Sequence, residues 1–176
     1  MVKAIMHGCN GKMGQVISNL VAADSDIEIV AGIDPHDDGH NAYPVYRSIF
    51  ECDMEADVII DFAAACAVNN LLDYSVKKKI PVVLCTTGLS PEQIDKVEDA
   101  SKEVAILKSA NMSLGINTLF KVLADVSPLL SAAGFDIEIV EKHHRLKVDA
   151  PSGTALALAD SINSANDNKF TYKFDR

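Results

Sequence analysis

The sequence predicts an α/β fold: a parallel sheet with helices on both faces, followed by an incomplete α+β segment. Three observations carry this. Short apolar runs alternate with helix-period segments through the first two thirds of the 176 residues. Those runs are nearly continuous in apolar residues, as strands covered on both faces are. From Ser113 the rhythm changes to a long helix, one alternating strand and the start of another helix. The expected division is residues 1–112 and 113–176.

Each element has its own signal. Lys3-Ala4-Ile5-Met6 reads as a buried strand. Gly11 to Ala23 reads as a helix with Met13, Val16, Ile17, Leu20 and Val21 on one apolar stripe. Ile27 to Ile33 is a second strand, ending at Asp34. Pro35 to Tyr46 is polar, holds Gly39 and two prolines, and reads as a loop. Residues 57–62 form a third strand. Ala67 to Lys79 is a helix whose terminal lysines suit the negative end of its dipole. Ile80 to Cys85 is a fourth strand. Ser90-Pro91-Glu92-Gln93 is a helix start, with serine as cap, proline in the first turn and glutamine at the capping-box position. Val104 to Leu107 is a fifth strand. A helix is expected from Leu114 to about Leu130, with Pro128 near its end. Phe135 to Glu141 alternates apolar and acidic residues, the period of a half-exposed strand. Another helix begins near Ser152. Too few elements follow residue 113 to close a second domain, so the chain reads as incomplete at its C-terminus.

Composition narrows the function classes. Net charge is −9 at pH 7 and hydrophobic content is 48%. No extended basic patch for nucleic acid is present. Cys9, Cys52, Cys66 and Cys85 include no CxxC pair, which argues against a zinc or redox-dithiol site. Their places in strands and helices favour reduced thiols. No segment approaches the roughly 20 apolar residues of a membrane span. No signal peptide opens the chain. A cytoplasmic protein is expected.

The segment Gly8-Cys9-Asn10-Gly11-Lys12-Met13-Gly14 follows a strand and opens a helix. Its glycines permit a tight turn, admit a pyrophosphate to the backbone, and let helix pack on strand. The helix N-terminus favours the anion. Asp34 lies 20 residues after Gly14, at the end of the second strand, where a carboxylate accepts from ribose hydroxyls. Together these predict a Rossmann-type dinucleotide site. Asp34 disfavours a 2′-phosphate, while Lys12 offers a point charge to offset one. NADH or NADPH is expected, with NADH preferred. Thr86-Thr87-Gly88 follows the fourth strand, where such sheets bind ligands. It reads equally as a nicotinamide contact or as a loop before the Ser90 cap.

Residues 141–155 are the most informative stretch. They gather His143, His144, Arg145 and Lys147, then Ser152-Gly153-Thr154 at a helix start. Read physically, this is a seat for a dianion that receives a proton. Ser152, Gly153 and Thr154 supply helix N-terminal donors. His144 and Lys147 add charge, and His143 or Lys147 supplies the proton. A solvated basic loop before an ordinary capped helix has the same composition. Adjacent histidines do not share one metal ion readily, so no metal site is expected.

The run E-x-H-H-R-x-K-x-D-A-P-S-G-T-A resembles the signature of dihydrodipicolinate reductases. Gly8 to Gly14, Asp61-Phe62, Thr86-Thr87-Gly88 and Ala110 to Asn117 match that family in order, so the resemblance spans nearly the whole chain. It implies NAD(P)H-dependent reduction of a cyclic dicarboxylate, 4-hydroxy-tetrahydrodipicolinate, in diaminopimelate and lysine biosynthesis. It implies catalytic roles for His143 and Lys147, with Lys147 the leading general acid. His144, Gly153 and Thr154, with Ser152, would hold substrate carboxylates. The cofactor set would comprise Gly8, Asn10, Gly11, Lys12, Met13, Gly14, Asp34, Phe62, Thr86, Thr87, Gly88, Ala110, Asn111 and Met112. Relatives place a hydroxyl residue after Asp-Phe, where this chain has Ala63. The family also continues beyond Arg176 with sheet strands that build a homotetramer. Residues 113–176 are therefore expected to be part of a substrate and oligomerisation domain. Without those strands the segment from Phe135 would be an unpaired edge.

Overall fold

The computed structural model describes residues 1–176 apart from 38, 110, 146, 148, 149, 175 and 176. It divides into two compact units, Met1–Ser109 and Ala110–Arg176.

The first unit is built on six strands: β1 Val2–His7, β2 Ile27–Ile33, β3 Val45–Tyr46, β4 Val58–Asp61, β5 Val82–Leu84 and β6 Ile106–Lys108. Every pairing is parallel, in the order β3-β2-β1-β4-β5-β6. The helices α1 Lys12–Ala22, α2 Val68–Lys78 and α3 Pro91–Ser101 connect them. Right-handed crossovers put α1 on one face. Beyond β1 the strand order reverses, so α2 and α3 cover the other. The reversal between β1 and β4 is the switch point where doubly wound sheets open a ligand crevice. The apolar strand residues fill the space beneath. Ile5, Ile59, Leu71 and Leu84 are fully buried, each contributing about 1.5–3 kcal/mol relative to exposure.

Local chemistry sets the helix ends. At α3, Ser90 Oγ accepts from the Gln93 N–H (3.3 Å) and Gln93 Oε1 accepts from the Ser90 N–H (3.0 Å), closing the predicted capping box. At α2 the chain leaves through Lys79, whose φ of 56° is left-handed. Its ammonium meets Glu103 at 2.8 Å.

One expectation fails here. The stretch 35–46 is not all loop: Val45 and Tyr46 pair with Gly32 and Ile33 as β3. Two residues carry no periodicity, so only their backbone bonds, such as Asp34 N–H to Tyr46 O (3.0 Å), reveal the strand. The apolar stripe of α1 is divided: Ile17 and Val21 are half-buried, while Met13, Val16 and Leu20 are 47, 49 and 67% exposed.

The second unit pairs α4 Leu114–Ala132 with α5 Gly153–Ala165. Ser113 Oγ caps α4 by accepting from the Ile116 N–H. Between the helices, Asn166 Nδ2 donates to Ser127 Oγ (3.0 Å) and Ser161 Oγ to the Phe120 carbonyl (3.2 Å). Residues 135–141 do not form the predicted strand. Their alternation is real, but a strand needs a partner ladder, and the described residues offer none. Phe135 and Val140 are accordingly 63 and 81% exposed.

Candidate active site

In the first unit, β1 ends at His7 and the chain turns through Gly8 at φ +81°. A Cβ there would lie 2.8 Å from the Phe62 carbonyl oxygen and 2.9 Å from the Ala63 backbone. Only glycine lets the β1 and β4 loops approach so closely. Gly14, in the first turn of α1, is buried, and a Cβ would stand 2.6 Å from the Cys9 carbonyl oxygen. The start of α1 carries no side-chain cap, and no acidic residue occupies its first turn. Its N–H groups are therefore available to an anion, and the residues fit a dinucleotide pyrophosphate.

Asp34 stands beside that loop. Its carboxylate accepts from the Asn10 N–H (3.2 Å) and the His36 N–H (3.0 Å). Asn10 in turn donates to the His36 carbonyl and accepts from Asn41 Nδ2 at 2.7 Å. Gln15 Nε2 ties the Cys9 carbonyl (2.9 Å) to Asn41 Oδ1 (3.1 Å). The glycine loop and the segment after β2 are thus one hydrogen-bonded frame. The sequence offers no signal for Gln15 and Asn41: an amide directly after the glycine motif and another in the polar loop are too common to mark a site.

Beyond β5 the three residues Thr86-Thr87-Gly88 differ in exposure. Thr86 is buried and its hydroxyl turns inward, 2.5 Å from Asp61 Oδ2 and 2.9 Å from the Ala63 carbonyl. Thr87 and Gly88 are exposed at the strand end. Phe62, half-buried, donates its N–H to the His7 carbonyl at 3.0 Å. Lys12 and Met13 are exposed at the start of α1.

The second unit holds the other candidates. Ser152 is buried and its Oγ accepts from the Ala155 N–H at 3.1 Å. That hydroxyl caps α5 rather than facing outward, which leaves Gly153 and Thr154 as the donors at the helix start. Asn111 Nδ2 donates to Thr154 Oγ1 at 3.2 Å, and Asn111 Oδ1 accepts from the Ser113 N–H at 2.8 Å. Asn111 therefore supports the α5 start within its own unit. Met112 is 47% exposed, and Ala110 lies outside the described residues.

Glu141 organises the basic segment, a role not read from the sequence. Its Oε1 accepts from the Ser152 N–H at 2.8 Å, and its Oε2 lies 3.5 Å from His143 Nδ1. Its carboxyl is held below the ordinary range by the hydrogen bonds from Ser152, with smaller help from His143 and Lys147. Glu141 is therefore an anion at neutral pH. His143, His144 and Lys147 are exposed around it. The Lys147 N–H donates to the His144 carbonyl at 2.9 Å, folding the cluster into a turn.

Comparison with known proteins accounts for both units. Residues 2–112 match the family described as dihydrodipicolinate reductase, N-terminus, and residues 115–174 match its C-terminus. The 4-hydroxy-tetrahydrodipicolinate reductase of Caldanaerobacter subterraneus subsp. tengcongensis is 50% identical over 176 residues, 100% of this chain and 69% of that protein. The reductase of Clostridium novyi is 50% identical over 165 residues, 94% of this chain and 65% of that protein. The chain thus spans about two thirds of the length of these relatives. A dipicolinate-bound dihydrodipicolinate reductase from Paenisporosarcina sp. superposes with a TM-score of 0.76 at 25% identity, covering 100% of this chain and 71% of that one. The chain belongs to the dihydrodipicolinate reductase family, the nicotinamide-dependent oxidoreductases that make tetrahydrodipicolinate for diaminopimelate and lysine biosynthesis.

Proposed function

We propose that this chain carries the cofactor-binding and substrate-binding machinery for reducing 4-hydroxy-tetrahydrodipicolinate to tetrahydrodipicolinate. The carrying observation is the Glu141–Ala155 segment, where one carboxylate ties His143 of the basic cluster to the capped start of α5. A dicarboxylate needs two anion seats. The N–H groups of Gly153 and Thr154, with the Thr154 hydroxyl, suit one. His144, with Ser152 and Glu141 holding the turn behind it, suits the other. The dipicolinate bound by the Paenisporosarcina relative supports a ligand of this class.

Lys147 is the general acid in this reading, and His143 a second acid/base group held beside Glu141. When bound, the reduced nicotinamide supplies the hydride. Gly8, Asn10, Gly11, Lys12, Met13 and Gly14 receive the pyrophosphate, and Asp34 the adenosine ribose. Phe62, Thr87 and Gly88 line the nicotinamide end, with Thr86 fixed behind them; Ala110, Asn111 and Met112 complete the family's set. Two backbone N–H groups hold the Asp34 carboxylate beside the glycine loop, where a carboxylate would repel a 2′-phosphate. NADH is therefore preferred, with Lys12 making NADPH usable; a KM for NADPH equal to or below that for NADH would end this preference. Cytoplasmic location and a homotetramer of the full-length protein complete the reading.

Lys147→Ala tests the catalytic assignment. It should lower kcat about 10²–10⁴-fold, the range for a positioned general acid. A near wild-type kcat would remove Lys147 from the role.

A further inference from the structure

At the switch point, three adjacent strand ends are tied by one buried polar chain. His7 closes β1, Asp61 closes β4 and Thr86 follows β5. Asp61 is fully buried, His7 is 5% exposed and Thr86 6%. His7 Nδ1 meets Asp61 Oδ1 at 2.6 Å, and Thr86 Oγ1 meets Asp61 Oδ2 at 2.5 Å. The Ala63 N–H reaches Asp61 Oδ1 at 3.3 Å, and the Ala63 carbonyl lies 2.9 Å from Thr86 Oγ1. Burying a carboxylate is costly unless every lone pair finds a donor. An apolar residue would fill the same core position without that demand. What the carboxylate adds is direction: it fixes the departure of two loops at once. Those loops carry Phe62 and Ala63 on one side, Thr87 and Gly88 on the other.

We infer that His7 is a positioning residue for the nicotinamide end of the cofactor site, acting through Asp61 on Thr86 and the Thr87–Gly88 turn. His7 does not touch the ligand. It orients Asp61, Asp61 holds the Thr86 hydroxyl and the Ala63 N–H, and the two rims stay at the spacing the nicotinamide half needs. The inference rests on the reading of Thr87 and Gly88 as nicotinamide contacts.

The test compares NADH with ADP-ribose, which lacks the nicotinamide, on the purified chain. NADH emission reports its own nicotinamide end; calorimetry gives both dissociation constants. His7→Leu removes the donor to Asp61, and His7→Asn retains one. Thr86→Val removes the other side-chain contact at nearly constant volume, and carries the test if His7→Leu fails to fold. His7→Leu and Thr86→Val should each weaken NADH about tenfold or more, as expected for losing a hydrogen bond to a charged group. ADP-ribose affinity should stay within about twofold of wild type on the same scale. His7→Asn should recover most of the NADH affinity. Equal loss of both ligands would reduce His7 to a structural residue and overturn the inference. So would variants that keep the wild-type difference between the ligands. A wild-type protein that binds NADH no better than ADP-ribose, with unchanged emission, would instead show that the nicotinamide reading of the turn is at fault.

Discussion

Replacing Gly14 with alanine sets two effects of known size against each other. Gly14 is the third residue of α1, and alanine in a helix is favoured over glycine by about 1 kcal/mol. Propensity alone predicts a more stable protein. The packing predicts the reverse. The new Cβ would lie 2.6 Å from the Cys9 carbonyl oxygen and closer still to that of Gly8. Both obstacles are backbone, so no side-chain rotation relieves them. Overpacking of this kind costs about 1–3 kcal/mol and occasionally more, and a rigid obstacle places it at the upper end. The net expectation is a loss of about 2 kcal/mol once the propensity gain is subtracted. In urea, with a slope of about 1–3 kcal/mol/M, the midpoint should fall by about 1 M. NADH affinity should fall with it, because the strain moves the loop that receives the pyrophosphate. Gly11→Ala is the control: its nearest obstacle is 3.3 Å away, so the change there should be smaller. A Gly14→Ala protein as stable as wild type, with unchanged NADH affinity, would refute the close-packing argument.

Three further outcomes follow from named contacts. Ser152→Ala removes the α5 cap while Glu141 keeps its bond from the residue-152 N–H, so stability should fall by about 1 kcal/mol and dipicolinate affinity should fall with it; unchanged melting would contradict the cap. Burial, aided by Asp34, pushes the Cys9 thiol up to about 12, and burial pushes Cys85 up to about 11, while Cys66 is exposed. An aromatic disulfide reagent at pH 8 should therefore modify Cys66 quickly and the buried thiols only after denaturation; rapid loss of Cys9 would contradict that burial. Lys147→Ala should spare NADH affinity while lowering kcat, and a matching loss of both would point to misfolding rather than to a missing proton donor.

Much of the first unit was legible in the sequence because its signals are local. The continuous apolar strands, the Ser90–Gln93 box and the glycine turn after β1 each depend on a few neighbouring residues. What escaped depends on residues far apart. β3 exists only because Gly32 and Asp34 offer it a ladder. The close approach of α1 to the Gly8–Cys9 backbone at Gly14 is likewise a contact that periodicity does not encode. His7 and Asp61 lie 54 residues apart in the sequence, and only the strand order puts them side by side. In the second unit, the alternation of residues 135–141 predicted a strand that these residues do not form, because a strand is a property of two segments. The helix start at Ser152 was readable from its residue types; that its hydroxyl turns inward to the cap was not.

Reduction of 4-hydroxy-tetrahydrodipicolinate is measured as NADH oxidation with that substrate generated in place by the condensing synthase that precedes it. Substrate-dependent NADH oxidation, lost in Lys147→Ala, is the expected result. A folded, NADH-binding protein that left the substrate unreduced would contradict it.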